Sequence, residues 1–106
     1  MPSEERQKLQ RIKDAEAKKQ EGNEFYKKKD FAKALELYTA AIELNPNELL
    51  YYTNMAAVYI EQKKFDQAIA QCDTAIAKAR EGAYDFVKLA KVIARKASAY
   101  EKNGQF

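Results

Sequence analysis

Small and bulky apolar positions recur along this chain in two registered copies, thirty-four residues apart. Gly22 returns as Ala56, Phe25 as Tyr59, Phe31 as Phe65, Ala34 as Ala68, Tyr38 as Cys72 and Ala41 as Ala75. Small residues answer small ones and rings answer rings, with Cys72 standing where Tyr38 stood. Self-similarity at this period is the signature of stacked helix-turn-helix units. Such arrays curve, because each unit is rotated slightly against the last, and their concave face can hold an extended ligand. The pattern predicts an all-α fold of antiparallel helix pairs wound into a superhelix, and it points to binding before chemistry.

Residues 1–14 are mainly charged and polar, with Leu9 and Ile12 as isolated apolar points, and read as a charged extension of the first helix. The first repeat is expected over 15–48: a helix ending near Lys29, a tight turn with Asp30 as N-cap, then a helix carrying Leu35, Tyr38, Ala41 and Ile42. Asn45-Pro46-Asn47 should stop it, because proline cannot donate into the preceding ladder and biases its predecessor away from helix. Asn47 is then positioned to cap the next helix. A second repeat is expected over 49–82, with Tyr52, Ala56 and Tyr59 on its first helix and Phe65, Ala68, Ile69, Cys72, Ala75 and Ile76 across its turn and second helix. Small residues let helix backbones approach while the aromatics fill the wedge beside them, which assigns Tyr59 and Cys72 to the core.

A third unit begins late. Ala97, Tyr100 and Phe106 match Ala56, Tyr59 and Phe65 at an offset of forty-one, so seven extra residues lengthen the helix ends around Gly82, the expected C-cap. Residues 83–106 therefore read as the first helix of an incomplete third repeat. Truncation there leaves an apolar edge on the last helix, which favours homo-oligomers or exchange of helices between molecules.

Composition narrows the function classes. The chain has 106 residues, 46% hydrophobic and 33% charged, enough for one modest core under a charged surface. Nineteen basic and sixteen acidic side chains leave a net charge of only +3, too little to suggest nucleic acid. A single cysteine, with neither a signal peptide nor a long apolar span, suggests a reducing, cytoplasmic setting and no membrane. Histidine is absent, which removes the commonest metal ligand and the usual general base. Ser3, Ser98 and Cys72 lack a histidine to activate them, and Glu4 with Glu5 and Glu81 with Asp85 read as solvated charge, so no catalytic residue, metal or cofactor is expected.

In an array of this kind the first helix of each repeat lines the concave face. Lys19 and Asn23 are four apart on the first such helix, and Lys91 and Arg95 four apart on the third, so each pair shares a face. Asn54 belongs to the second. Three cations and two amides across one groove suit a ligand with two carboxylates on one residue, which a C-terminal aspartate or glutamate provides. Tyr26 and Glu61 are weaker candidates for contacts further along the groove.

The segment QEGNEFYKKKDFAKALELYTAAIELNP resembles a tetratricopeptide repeat. Lys19, Asn23, Asn54, Lys91 and Arg95 match one by one the dicarboxylate clamp of tetratricopeptide-repeat co-chaperones that bind the acidic tails of heat-shock chaperones. The delayed third repeat, in YDFVKLAKVIARKASAY, looks further like the central repeat domain of the Hsp-organising (Hop) co-chaperones. The resemblance implies a non-enzymatic co-chaperone module gripping the terminal Met-Glu-Glu-Val-Asp of the ninety-kilodalton heat-shock protein. Two alternatives stand beside it: the seventy-kilodalton chaperone, whose tail ends in the same Glu-Glu-Val-Asp, and a self-associating scaffold whose groove is idle.

Overall fold

Five helices follow one another in the computed structural model, which describes residues 2–82 and 85–104: α1 (Ser3–Lys27), α2 (Phe31–Leu44), α3 (Leu49–Glu61), α4 (Phe65–Arg80) and α5 (Phe86–Lys102). No strand occurs among the described residues, and no described helix is long and apolar enough to cross a membrane. The chain divides into two units, residues 1–46 and 47–106.

In the first unit α1 packs on α2. Lys, Glu, Gln and Ala dominate α1, all residues that lose little freedom in a helix. Glu4 and Glu5 in its first turn meet the positive end of the helix dipole. Over residues 3–14 only Ile12 is better than exposed, so this stretch rests on local propensity and on pairs such as Gln10 Nε2 donating to Asp14 Oδ1 at 2.9 Å. Further along, Ala15 and Gly22 are buried, as are Ala34, Leu37, Tyr38 and Ala41 of α2. Gly22 permits the closest approach: a Cβ there would lie 2.7 Å from Tyr38 Cε1 and 2.9 Å from Cδ1.

The first helix ends two residues short of Lys29, and the expected turn follows it. Helix α1 ends at Lys27, Lys28 is its C-cap and Lys29 takes a left-handed φ of 62°. Lys29 N donates to Tyr26 O and Asp30 N to Phe25 O, both at 2.9 Å, the paired bonds of a Schellman motif. Asp30 then caps α2, its carboxylate accepting from Lys33 N at 3.2 Å. Helix α2 stops at Leu44, ahead of Pro46, as the proline requires.

In the second unit α3 packs against both α4 and α5, which also touch one another. Helix α3 is buried almost all round, through Leu49, Tyr51, Tyr52, Thr53, Met55, Ala56, Val58 and Ile60. Opposing it, α4 presents a stripe of small residues, Ala68, Cys72, Ala75 and Ala79, at alternating spacings of four and three. Helix α5 is anchored by buried Val92 and Ala99. Two ion pairs fasten it as well: Lys88 Nζ to Glu48 Oε1 and Lys96 Nζ to Asp73 Oδ1, each 2.6 Å.

Three expectations change. Asn47 does not cap α3; Glu48 does, accepting from Leu50 N at 3.3 Å while its other oxygen holds Lys88, a role too long for an asparagine side chain. Tyr59 is half-buried rather than core. Gly82 follows the C-cap Glu81, with φ 118°, and so fills the next, left-handed position. Ala97 and Tyr100 are exposed, unlike Ala56, and form part of the apolar edge expected on the last helix; their companion Phe106 lies outside the described residues.

Candidate functional site

Asn54, Lys91 and Arg95 come together in the second unit, on the wall of an open cleft of about 430 Å³. Leu50, Thr53 and Asn54 enter from α3, spaced as one helical face, and Lys91, Ala94, Arg95 and Ser98 from α5, likewise one face. Leu50 and Ala94 give the cleft an apolar component. Thr53 Oγ1 is tied to its own helix by donating to Leu50 O at 2.7 Å.

The four cations of α5 within this region divide into two classes. Lys88 and Lys96 are engaged with Glu48 and Asp73. Among the described residues Lys91 and Arg95 form no salt bridge, and both are exposed. Two unneutralised cations one helical turn apart, beside a half-buried amide, make a local positive field over a concave surface. Such a set can hold a carboxylate by charge-assisted hydrogen bonds, with Arg95 offering the planar fork and Lys91 a point charge.

Lys19, Asn23 and Tyr26 lie on α1, in the first unit. Lys19 Nζ reaches Glu16 Oε1 at 2.9 Å, a part-buried i,i+3 pair within α1. Asn23 is half-buried and its Oδ1 accepts a 2.6 Å hydrogen bond from the Tyr38 hydroxyl. The half-buried Tyr26 ring meets Phe31 edge-on, centroids 5.9 Å apart. Glu61 is exposed at the last position of α3.

Cys72 is fully buried, and burial, with Asp73 adding to it, pushes its thiol up to about 11; Arg95 and Lys96 pull the other way. At neutral pH it is an inert hydrophobe.

Sequence reasoning overlooked Leu50, Thr53, Ala94 and Ser98 as walls of the cleft. A signal existed for three of them, since Leu50 stands four positions from Asn54, and Ala94 and Ser98 three and seven from Lys91, on the same helix; Thr53 is three positions beyond Leu50.

A family model described as tetratricopeptide repeat matches residues 25–85, more than half of the chain. This chain belongs to the tetratricopeptide-repeat family. Among curated relatives the repeat protein is 48% identical over 84 residues to Hsp70-Hsp90 organizing protein 3 of Arabidopsis thaliana, an alignment covering 79% of this chain and 15% of the relative. The chain thus spans a small part of that relative's length. Among solved structures it is similar to the TPR2AB-domain:pHSP90 complex of yeast Sti1, with a TM-score of 0.80 and 37% identity over 85% of this chain and 34% of that one. It is similar also to the TPR2B-domain:pHsp70 complex of yeast Sti1, with a TM-score of 0.69 and 32% identity over 83% of this chain and 65% of that one.

Proposed function

We propose that this repeat protein is a cytosolic co-chaperone module that grips the C-terminal tail of the ninety-kilodalton heat-shock chaperone by a dicarboxylate clamp, without catalysis. Lys19, Asn23, Asn54, Lys91 and Arg95 are the clamp. The observation that carries the reading is the division of the α5 cations: among the described residues Lys91 and Arg95 form no salt bridge and are exposed over a cleft, while their neighbours Lys88 and Lys96 are neutralised. Keeping two like charges unpaired one turn apart disfavours the free protein, and an anionic ligand removes that cost. The similarity to Sti1 domains in complexes with chaperone peptides supports the same class of ligand.

Titrating a peptide ending in Met-Glu-Glu-Val-Asp tests the reading. Replacing Lys91 or Arg95 with Ala should weaken binding at least tenfold, as expected for losing a charge-assisted bond of about 1.5 kcal/mol or more. Wild-type affinity in both variants would refute the clamp.

A second reading keeps the clamp and exchanges the partner for the seventy-kilodalton chaperone; the likeness to the TPR2B-domain:pHsp70 complex favours it. Titrating both tail peptides side by side ranks the two. Self-association is a third reading, supported by the exposure of Phe86, Val87, Ile93 and Tyr100 on α5. Light scattering over a concentration series measures it directly.

A further inference from the structure

An asparagine amide can be turned over with little change of shape, exchanging its acceptor oxygen for its donor nitrogen. Only the donor face suits a carboxylate. If Asn23 presented Oδ1 to an anion the contact would be repulsive, so an asparagine of the proposed clamp needs something to select one of its two orientations.

Tyr38 supplies that selection. Its ring is only 2% exposed and lies against the α1 backbone at Gly22, where a Cβ would come within 2.7 Å of Cε1, 2.9 Å of Cδ1 and 3.3 Å of Cζ. The missing side chain at Gly22 is therefore a slot for the ring. From that slot the hydroxyl reaches the next residue, donating to Asn23 Oδ1 at 2.6 Å. Burial, and secondarily Tyr26, pushes the phenol up to about 12, so the hydroxyl keeps its proton at neutral pH. With Oδ1 engaged, the two Nδ2 hydrogens are what Asn23 has left to offer a ligand.

We propose that Tyr38 is a positioning residue for carboxylate recognition, holding the Asn23 amide donor-outward through its hydroxyl from a slot kept open by Gly22. This rests on the clamp reading of Asn23. Tyr38 touches no ligand in this arrangement; it acts through Asn23.

The test is a double-mutant cycle on the full chain with a peptide ending in Met-Glu-Glu-Val-Asp, using Tyr38→Phe, Asn23→Ala, the double variant, and Lys91→Ala and Arg95→Ala as references. Phe keeps the ring and removes only the hydroxyl. Tyr38→Phe should weaken binding about three- to tenfold, the equivalent of one neutral hydrogen bond, and should have no further effect once Asn23 is Ala. A general structural role would instead weaken binding equally in both backgrounds. Should Tyr38→Phe fold poorly, the wild-type protein still reports: the Asn23 side-chain amide signals should shift on adding peptide, and the Tyr38 hydroxyl proton should be protected from exchange. An unprotected hydroxyl proton overturns the proposal. Wild-type affinity for Tyr38→Phe beside a weakened Asn23→Ala overturns it and leaves the clamp standing. Wild-type affinity for Asn23→Ala with weakened Lys91→Ala and Arg95→Ala leaves Tyr38 nothing to position, and wild-type affinity for every variant removes the clamp as well.

Discussion

Lys29 and Lys63, thirty-four positions apart, hold the same left-handed backbone conformation, with φ of 62° and 61°. Each closes a Schellman motif: Lys63 N donates to Ile60 O at 2.9 Å and Lys64 N to Tyr59 O at 2.8 Å, repeating the bonds at Lys29 and Asp30. After α4 and α5 the left-handed position is filled by Gly82 and Gly104 instead. The turn inside each repeat is therefore imposed by the bonds across the helix end, against the preference of a lysine for negative φ.

Replacing Lys63 with Gly should stabilise the protein by up to about 1 kcal/mol, since relief of the left-handed conformation outweighs the added freedom of the unfolded chain. Val at the same place should destabilise it by at least about 1 kcal/mol. Urea midpoints of the two variants check both signs; equal midpoints would show that Lys63 carries no such strain.

Asp30 and Lys64 occupy corresponding N-cap positions, yet only Asp30 supplies a side-chain acceptor. Lys64→Asp should stabilise α4 by about 1 kcal/mol, by adding the missing bond and replacing a cation at the positive end of the helix dipole. Asp30→Ala should cost a similar amount. Thermal melts of both variants measure the effect.

Glu48 serves two elements at once, capping α3 through Leu50 N and holding Lys88 of α5. Removing it by Glu48→Ala should cost about 1–2 kcal/mol, more than Lys88→Ala, which leaves the cap intact. Denaturant titrations of both variants make the comparison. Equal losses would mean that the cap contributes nothing.

Stability should fall at alkaline pH. The folded pKa of Cys72 is raised from 9.0 to about 11 and that of Tyr38 from 10.0 to about 12. The folded state keeps protons that the unfolded chain releases, so this contribution is complete below pH 9 and declines as pH rises through about 11 and about 12. Urea midpoints across that range should drop, and Cys72→Ala should flatten the earlier part of the decline. A thiol reagent should meanwhile label Cys72 only as fast as the protein opens.

Peptide binding should weaken as salt is added, because Lys91 and Arg95 are exposed and their field is screened within about 8 Å at physiological ionic strength. Amidating the peptide's terminal carboxyl should weaken it further. Affinity that is flat from low to high salt would remove the electrostatic basis of the proposed clamp.

Helical class, the repeated turn and the small-residue contacts were legible in the residues alone. Ala34, Ala41, Ala56, Ala68 and Ala75 are all fully buried, and Asp30 caps α2, because a period of thirty-four can recur only if the same residue types meet the same neighbours each time. Other features have no local signature. Asn47 has the right chemistry for a cap, but Glu48 takes the position with Lys88 held by its second oxygen, forty residues away in the chain.

What the chain's letters determine by themselves is which segments coil, where they turn and which small side chains let helices touch, since these follow from short-range sterics and periodic burial. Tertiary packing alone decides which charges are neutralised. The spacing of Lys91 and Arg95 marks them as one face, but nothing local says that Lys88 and Lys96 are the ones neutralised; only the arrival of Glu48 and Asp73 from other elements pairs those two, while among the described residues Lys91 and Arg95 form no salt bridge. The same holds for Asn23, whose amide is oriented by a tyrosine fifteen residues downstream. Charge pairing and amide orientation depend on distances of a few ångströms across elements, and those distances exist only after folding.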